Sequence, residues 1–169
     1  HNTSIGIRSM ENNINGSNSV AIGSFALQDQ TYATATDGNN TAVGYAAGAN
    51  VSTGTANTLI GAAAGDAITV GSQNVAVGRN SLSADPKGSR SVAIGEGALF
   101  VQDFTTATES YNVAVGYDAG VDVTTGLRNN LVGSFAGANL TDADDNTVLG
   151  DSALNSDTKG SRSVAVGRA

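Results

Sequence analysis

Cysteine and tryptophan are absent from this 169-residue chain, which has one histidine, one proline, four tyrosines and four phenylalanines. Without cysteine it can form no disulfide framework, thiol nucleophile or cysteine-based zinc site. Its only histidine, His1, stands at the first residue, so we expect no histidine-dependent catalytic triad. No apolar run is long enough for a membrane-spanning helix, and the start shows no signal-peptide pattern. The net charge of −7 without basic clusters argues against a nucleic-acid partner.

Glycine is abundant, and ten of the glycines follow an aliphatic residue at regular spacing. The intervals between these box glycines are 17 or 21 residues, and their order repeats after 72 residues. When residues 18–89 are laid on residues 90–161 without a gap, 34 of 72 positions are identical. We therefore predict a single repeat domain over residues 1–169, with partial repeats at 1–17 and 162–169, as a segment of a longer fibre. The box glycines are Gly6, Gly23, Gly44, Gly61, Gly78, Gly95, Gly116, Gly133, Gly150 and Gly167.

Each box has the composition of one short strand between turns. A stretch such as Val20-Ala21-Ile22 favours a strand, whereas the flanking Asn, Ser and Gly favour turns. Equivalent strands at a fixed interval predict a parallel β-solenoid in which like residues stack above one another. At about 4.8 Å per strand, ten coils would form a rod about 45–50 Å long. The four extra residues of each 21-residue coil should bulge sideways.

The residue four positions before each box glycine is asparagine or serine. Equivalent polar residues in a stack need partners, so we predict a hydrogen-bonded turn ladder rather than glycosylation or ligand sites. The predicted ladder asparagines are Asn2, Asn40, Asn57, Asn74, Asn112, Asn129 and Asn146.

The middle residue of each strand is apolar and mostly small. In a box such as Val92-Ala93-Ile94 the residues on either side of it are also apolar, so both faces of the strand should be buried. A 17-residue coil is too thin to bury both by itself. We therefore predict that the middle residues meet other copies of the chain, most simply in a homotrimer. The predicted interface residues are Ala21, Ala42, Leu59, Ala76, Ala93, Ala114, Leu131, Val148 and Ala165.

The box "NSVAIGxxAL" at Asn18–Leu27 resembles the head repeat of trimeric autotransporter adhesins, the YadA-like β-roll. The form "NTAVGYxAG" at Asn40–Gly48 is also similar to repeats in phage tail fibres and other surface fibres. The resemblance implies a left-handed parallel β-roll with three chains side by side. It also implies an extracellular location, on a cell or virion surface, as an adhesive or spacer fibre.

No cofactor, metal site or catalytic residue is predicted. Carboxylates do not form a repeated ladder, and Asp142, Asp144 and Asp145 belong to one loop only, where a solvated turn explains them better than a catalytic pair or a calcium site. The long coils carry an aromatic followed by Thr-Ala-Thr. Such a loop could contact a host glycan, or the ring could anchor the loop to the rod. The candidate contacts are Tyr32, Thr34, Thr36, Phe104, Thr106 and Thr108.

These features favour a non-enzymatic structural and adhesive segment of a multichain fibre. Its partners would be other copies of itself and a host-surface glycan or protein receptor. Two alternatives remain open. One is a tailspike-type rod that degrades carbohydrate and would need a carboxylate site, and the other is an ice-binding solenoid that would need a regular threonine array.

Overall fold

The computed structural model describes residues 1–169 as an all-β chain without helices, a parallel β-solenoid of about ten coils. Ten three-residue strands, one from each box, form one parallel sheet that runs the length of the rod in the order of the chain. They are β1 (Thr3–Ile5), β3 (Val20–Ile22), β5 (Thr41–Val43), β6 (Thr58–Ile60), β7 (Val75–Val77), β9 (Val92–Ile94), β11 (Val113–Val115), β12 (Asn130–Val132), β13 (Thr147–Leu149) and β14 (Val164–Val166).

The register between these strands follows the sequence repeat. Thr41 pairs with Thr58, 17 residues later, and Val20 pairs with Thr41 across a 21-residue coil. The extra residues of the long coils therefore leave the main sheet undisturbed. They lie at a different corner, where two small sheets form, β2 (Ile14–Ser17) with β4 (Thr31–Asp37) and β8 (Gly88–Ser89) with β10 (Thr108–Glu109).

The box glycines are required by close stacking of the coils. Gly61 has a φ of +136°, and a Cβ added there would lie 2.5 Å from the carbonyl oxygen of Gly78 in the next coil. Any larger residue would both strain the backbone and separate two coils. The glycine column is thus a consequence of the strand-to-strand spacing.

The core is a single column of buried side chains inside the solenoid. It contains the middle residues of the main-sheet strands from Ala21 to Val148 and, in the interior of the rod, the alanine or serine three residues after the box glycine, such as Ala26 and Ala47. A third set of core side chains comes in two forms. Some coils place a leucine four residues after the box glycine, as at Leu27. Others have glycine there and an aliphatic residue three positions later, as at Gly48 and Val51.

These two forms fill the same space. A Cβ at Gly48 would lie 2.5 Å from Leu59 Cδ1 and 3.2 Å from Val51 Cγ2. In the other form Leu27 adopts a left-handed conformation with a φ of 46°. That conformation costs about 1–2 kcal/mol in an L-residue. Burial of a whole leucine side chain offsets that cost.

The core position of the middle strand residues corrects one prediction. We expected them to face other chains, but Ala21, Ala93 and Leu131 have no exposed surface in the isolated chain. Their own coil covers them, because its alanine column and its leucine or valine supply the opposing layer. A 17-residue coil therefore encloses one buried layer without help. The prediction of a subunit interface is wrong for Ala21, Ala42, Leu59, Ala76, Ala93, Ala114, Leu131 and Val148. Ala165, in the last coil, packs against this core but is only half-buried, so its place in an interface stays a prediction.

Candidate functional site

The two residues that flank each buried middle residue point outward. The residue before it is valine, threonine or asparagine, whereas the residue after it is always aliphatic, so part of the outer face of the main sheet is apolar. We call the residues immediately before the box glycines the outer stripe. In the interior of the rod Ile22, Ile60, Ile94 and Val132 are each 37–40% exposed. Because the strands are in register, these side chains form one continuous aliphatic row along the rod. The outer stripe comprises Ile5, Ile22, Val43, Ile60, Val77, Ile94, Val115, Val132, Leu149 and Val166.

Two aromatic pairs lie just past the box glycines, and all of their rings are exposed except that of Phe25, which is half-buried. Phe25 and Tyr45 pack edge to face with ring centroids 5.7 Å apart. Tyr117 and Phe135 form a second such pair at 5.2 Å. Each pair joins two successive coils, so the aromatic rings widen the apolar surface at two places along the rod.

The asparagine column forms a hydrogen-bonded ladder inside the solenoid. Asn57 Oδ1 accepts a hydrogen bond of 3.0 Å from the main-chain nitrogen of Asn74, whose own Oδ1 accepts one of 2.9 Å from Ser91. The side-chain nitrogen of Asn74 donates to the carbonyl of Gly88 at 2.9 Å. Each asparagine therefore joins its own coil to the next, and these side chains are fully buried in the rod interior. This placement is structural and leaves the amides inaccessible to ligands.

Two buried glutamines, which the sequence analysis did not single out, complete the ladder at the long coils. At the ladder position before Gly95 the chain has Ser91 instead of an asparagine. The amide of Gln102 lies beside this serine, where the longer asparagine side chain would otherwise reach. Gln102 Nε2 donates to Ser91 Oγ at 3.0 Å, and Gln102 Oε1 accepts from Asn112 Nδ2 at 2.8 Å. Gln30 donates to Ser19 in the same way at 3.2 Å. A sequence signal existed, because each of these serines has a glutamine eleven residues later.

The aromatic rings of the long coils lie against the rod and are not available to a sugar. Tyr32 is 6% exposed and Phe104 is 5% exposed. The Tyr32 hydroxyl donates to the carbonyl of Gly54 at 2.8 Å, and burial raises its pKa. The glycan-stacking role considered for Tyr32 and Phe104 is therefore wrong, and these rings anchor their loops. Of the threonines in those loops, Thr34 and Thr106 are exposed, and Thr36 and Thr108 are half-buried.

Asp85 is the only fully buried carboxylate, and it organises the turn below the second long coil. Its Oδ1 accepts hydrogen bonds from the main-chain nitrogens of Gly88 at 2.8 Å and Phe104 at 3.3 Å, and its Oδ2 accepts one from the side-chain nitrogen Nε2 of Gln102 at 2.6 Å. Burial raises the pKa of Asp85, an effect that the hydrogen bonds from Gln102 and the backbone reduce. Since both oxygens bind structural donors, this carboxylate supports the turn.

The acidic loop residues each serve a separate local contact. Asp144 Oδ1 accepts from the main-chain nitrogen of Leu127 at 2.7 Å. Asp145 pairs with Arg128 at 2.6 Å, and this hydrogen bond lowers the pKa of the Asp145 carboxyl. Asp142 lies 3.9 Å from Lys159 Nζ. No group of three or more histidine, aspartate or glutamate side chains is placed to hold a metal ion.

Comparison with known proteins gives no further guide to function. Searches against protein-family models, curated proteins and solved structures found no match to this chain. Nor does the chain contain a helix with the length and apolar character needed to cross a membrane.

Proposed function

We propose that this chain is a non-enzymatic structural and adhesive segment of an extracellular fibre on a cell or virion surface. In this proposal three chains associate side by side through their outer stripes, as left-handed rolls resembling the YadA-like head repeat, and the 72-residue super-repeat is the unit by which the fibre extends. The observation that supports it best is the uninterrupted aliphatic row on the outer face of the main sheet. Soluble single chains rarely expose an apolar strip of this length.

The exposed part of the outer stripe is large enough to contribute to association. Complete burial of an aliphatic side chain contributes about 1.5–3 kcal/mol, so covering the remaining two fifths contributes about 0.6–1.2 kcal/mol for each coil. Ten coils therefore supply about 6–12 kcal/mol. Association costs about 4–15 kcal/mol, so the apolar gain is of the same size as the cost. Assembly should therefore tighten with each added coil.

Stiffness along the axis supports the role of a spacer. Each coil bonds to its neighbours through the main sheet, through the asparagine ladder and through turn hydrogen bonds such as Gly61 N to Val43 O at 2.8 Å. All these contacts join nearest neighbours, as in other solenoids. A rod of this kind can hold a binding surface away from the body that carries it.

The test is the mass of the particle in solution, measured by analytical ultracentrifugation on the 16.7 kDa chain. We expect a trimer, and we expect Ile60→Glu with Ile94→Glu to yield monomers, because each new charge would be buried between chains. Thr53→Glu is the matched control, since Thr53 is exposed but lies outside the outer stripe. Circular dichroism should show the same β spectrum for all three proteins. A folded wild-type monomer at high micromolar concentration, or an unaffected double variant, would refute the proposed assembly.

A further inference from the structure

A groove of about 460 Å³ lies beside the second long coil. Its lining comes from two sources, the stacked coils of the rod and the extra residues of the long coil. The rod contributes Thr55, Ser72, Gln73 and Arg90, and the long coil contributes Thr108 and Glu109. The volume is within the range of small-molecule binding sites, and the only apolar side chain in the lining is an alanine.

The loop that forms one side of the groove is held in place at several points. Lys87 Nζ donates to the carbonyl of Thr105 at 2.9 Å, and the main-chain nitrogen of Thr108 donates to the carbonyl of Lys87 at 3.3 Å. Strand β10 then pairs with β8. The buried ring of Phe104 anchors the beginning of the loop. The groove is thus formed in the free chain, which lowers the entropic cost of binding.

A chain of polar side chains runs along the groove and carries no net charge. Gln73 Oε1 accepts from Arg90 Nε at 2.8 Å, and Arg90 pairs with Glu109 at 2.7 Å. The Tyr111 hydroxyl donates to Glu109 at 2.7 Å. Because Glu109 neutralises Arg90, the guanidinium and the carboxylate act as oriented donors and acceptors rather than as an isolated charge.

Two groups in the lining, on Gln73 and Thr108, retain hydrogen-bonding capacity. Gln73 Nε2 donates no hydrogen bond within the chain. Thr108 Oγ1 donates to the carbonyl of Thr106 at 3.0 Å, which leaves its oxygen lone pairs free to accept. Ser72 Oγ, by contrast, is engaged within the chain. It accepts from the main-chain nitrogen of Thr55 at 3.0 Å and from Thr55 Oγ1 at 3.5 Å, and it donates to the carbonyl of Val70 at 3.4 Å. The lining therefore offers both a free donor, Gln73 Nε2, and a free acceptor, Thr108 Oγ1.

We propose that this groove binds a neutral, hydroxyl-rich saccharide. Sugar hydroxyls both donate and accept, which suits a lining that offers a free donor and a free acceptor, whereas an apolar ligand would leave these groups unpaired. An anionic ligand is disfavoured because Arg90 is already paired and the chain carries a net charge of −7. The inference rests on the adhesive part of the proposed function and gives that part a location.

The experiment uses the full chain on an array of neutral oligosaccharides, with sialylated and sulfated oligosaccharides as anionic probes. The probes are glucans, mannans, galactans and oligomers of N-acetylglucosamine. We expect binding to at least one neutral class, and a roughly five- to tenfold weaker affinity in Gln73→Ala and in Thr108→Val, because each removes a hydrogen-bonding group. Thr36→Val is the matched control. Thr36 occupies the same place in the first long coil and makes the same bond, 2.9 Å to Thr34, outside the groove.

Three outcomes would overturn this inference. They are no binding to any neutral probe, binding to anionic probes alone, and an equal loss of affinity in Thr36→Val and Thr108→Val. The oligomeric state is measured on the same samples. If a monomer bound saccharide, the proposed trimer would be refuted and the saccharide site in the groove would stand. If a trimer bound no saccharide, the saccharide site would be refuted and the trimer would stand.

Discussion

Replacement of Asn74 by alanine tests the physical role of the ladder. Asn74 is fully buried and makes two side-chain hydrogen bonds, one accepted from the main-chain nitrogen of Ser91 and one donated to the carbonyl of Gly88, both at 2.9 Å. Alanine can replace neither, so a buried donor and a buried acceptor lose their partner. Each such loss costs about 1–3 kcal/mol. This loss is partly offset, because the variant no longer pays about 1 kcal/mol of conformational entropy for ordering the Asn74 side chain on folding.

We therefore expect Asn74→Ala to lower the free energy of unfolding by about 1–5 kcal/mol, with a central value near 3 kcal/mol. Urea denaturation followed by circular dichroism measures this change. Hydrogen exchange of the Ser91 amide should accelerate, since that amide loses its acceptor. Asn74→Ser should cost less, because Ser19 already accepts from the main-chain nitrogen of Asn40 at 3.2 Å at the same ladder position.

Asn50→Ala is the matched control for this experiment. The Asn50 side chain donates to the carbonyl of Asp66 at 2.7 Å, but Asn50 is exposed, so water can replace the lost partner. We expect a change within about 0.5 kcal/mol. If Asn74→Ala also changed the free energy of unfolding by less than that, or if Ser91 remained equally protected, the ladder would not stabilise the stacking of coils.

Two further predictions concern the corners of the long coils. Burial raises the pKa of Asp85 above its ordinary value of 3.8, so the folded chain binds this proton more tightly than the unfolded chain. The free energy of unfolding of the wild type relative to Asp85→Asn should therefore fall as the pH rises from 3.8 through the raised pKa of the folded chain. Urea titrations across this pH range measure it, and a relative gain would contradict the stated cause. Tyr32→Phe should cost about 1 kcal/mol through the lost hydrogen bond to Gly54, and Tyr32→Ala about 3–5 kcal/mol through the lost buried ring. A fully stable Tyr32→Ala variant would mean that the ring does not anchor the loop.

The periodic part of the fold could be predicted from the sequence because every coil repeats the same physical problem. The strand at each box and the stacking of box on box are confirmed, and the register steps of 17 and 21 residues match the spacing of the box glycines. Repetition converts a weak local signal, such as Val20-Ala21-Ile22, into a strong one. It also predicts which side chains stack, since equivalent residues must meet.

The direction in which the strands face could not be predicted in the same way. In a three-residue strand with apolar residues on both sides, alternation separates Ala93 from Val92 and Ile94 but does not say which side is inside. The deciding signal lay elsewhere in the coil. Ala98 and Leu99 also needed an interior position, and they are buried on the same side as Ala93. The number of chains in the assembly stays a prediction.

The structure at the corners of the long coils could not be predicted, because it is held by contacts between residues that are not equivalent in the repeat. Gln102 joins Asp85, Ser91 and Asn112, which lie 10–17 residues away in different coils. The aromatic residue of each long coil had two sequence interpretations, and only its burial decides between them. The groove beside Thr108 likewise needed the positions of four successive coils.

The way the coils join has a consequence for how the length of such a rod can change. Removal of a complete 17-residue coil would shorten the rod by about 4.8 Å and leave equivalent partners facing each other at the new junction. Deletion of one residue within a box would instead reverse the strand faces and bring larger side chains, such as that of Ile94, into the space of the small middle residue. Length in this architecture is therefore expected to vary in whole steps. Additions of other sizes should be confined to the corner where the four extra residues of the long coils already protrude.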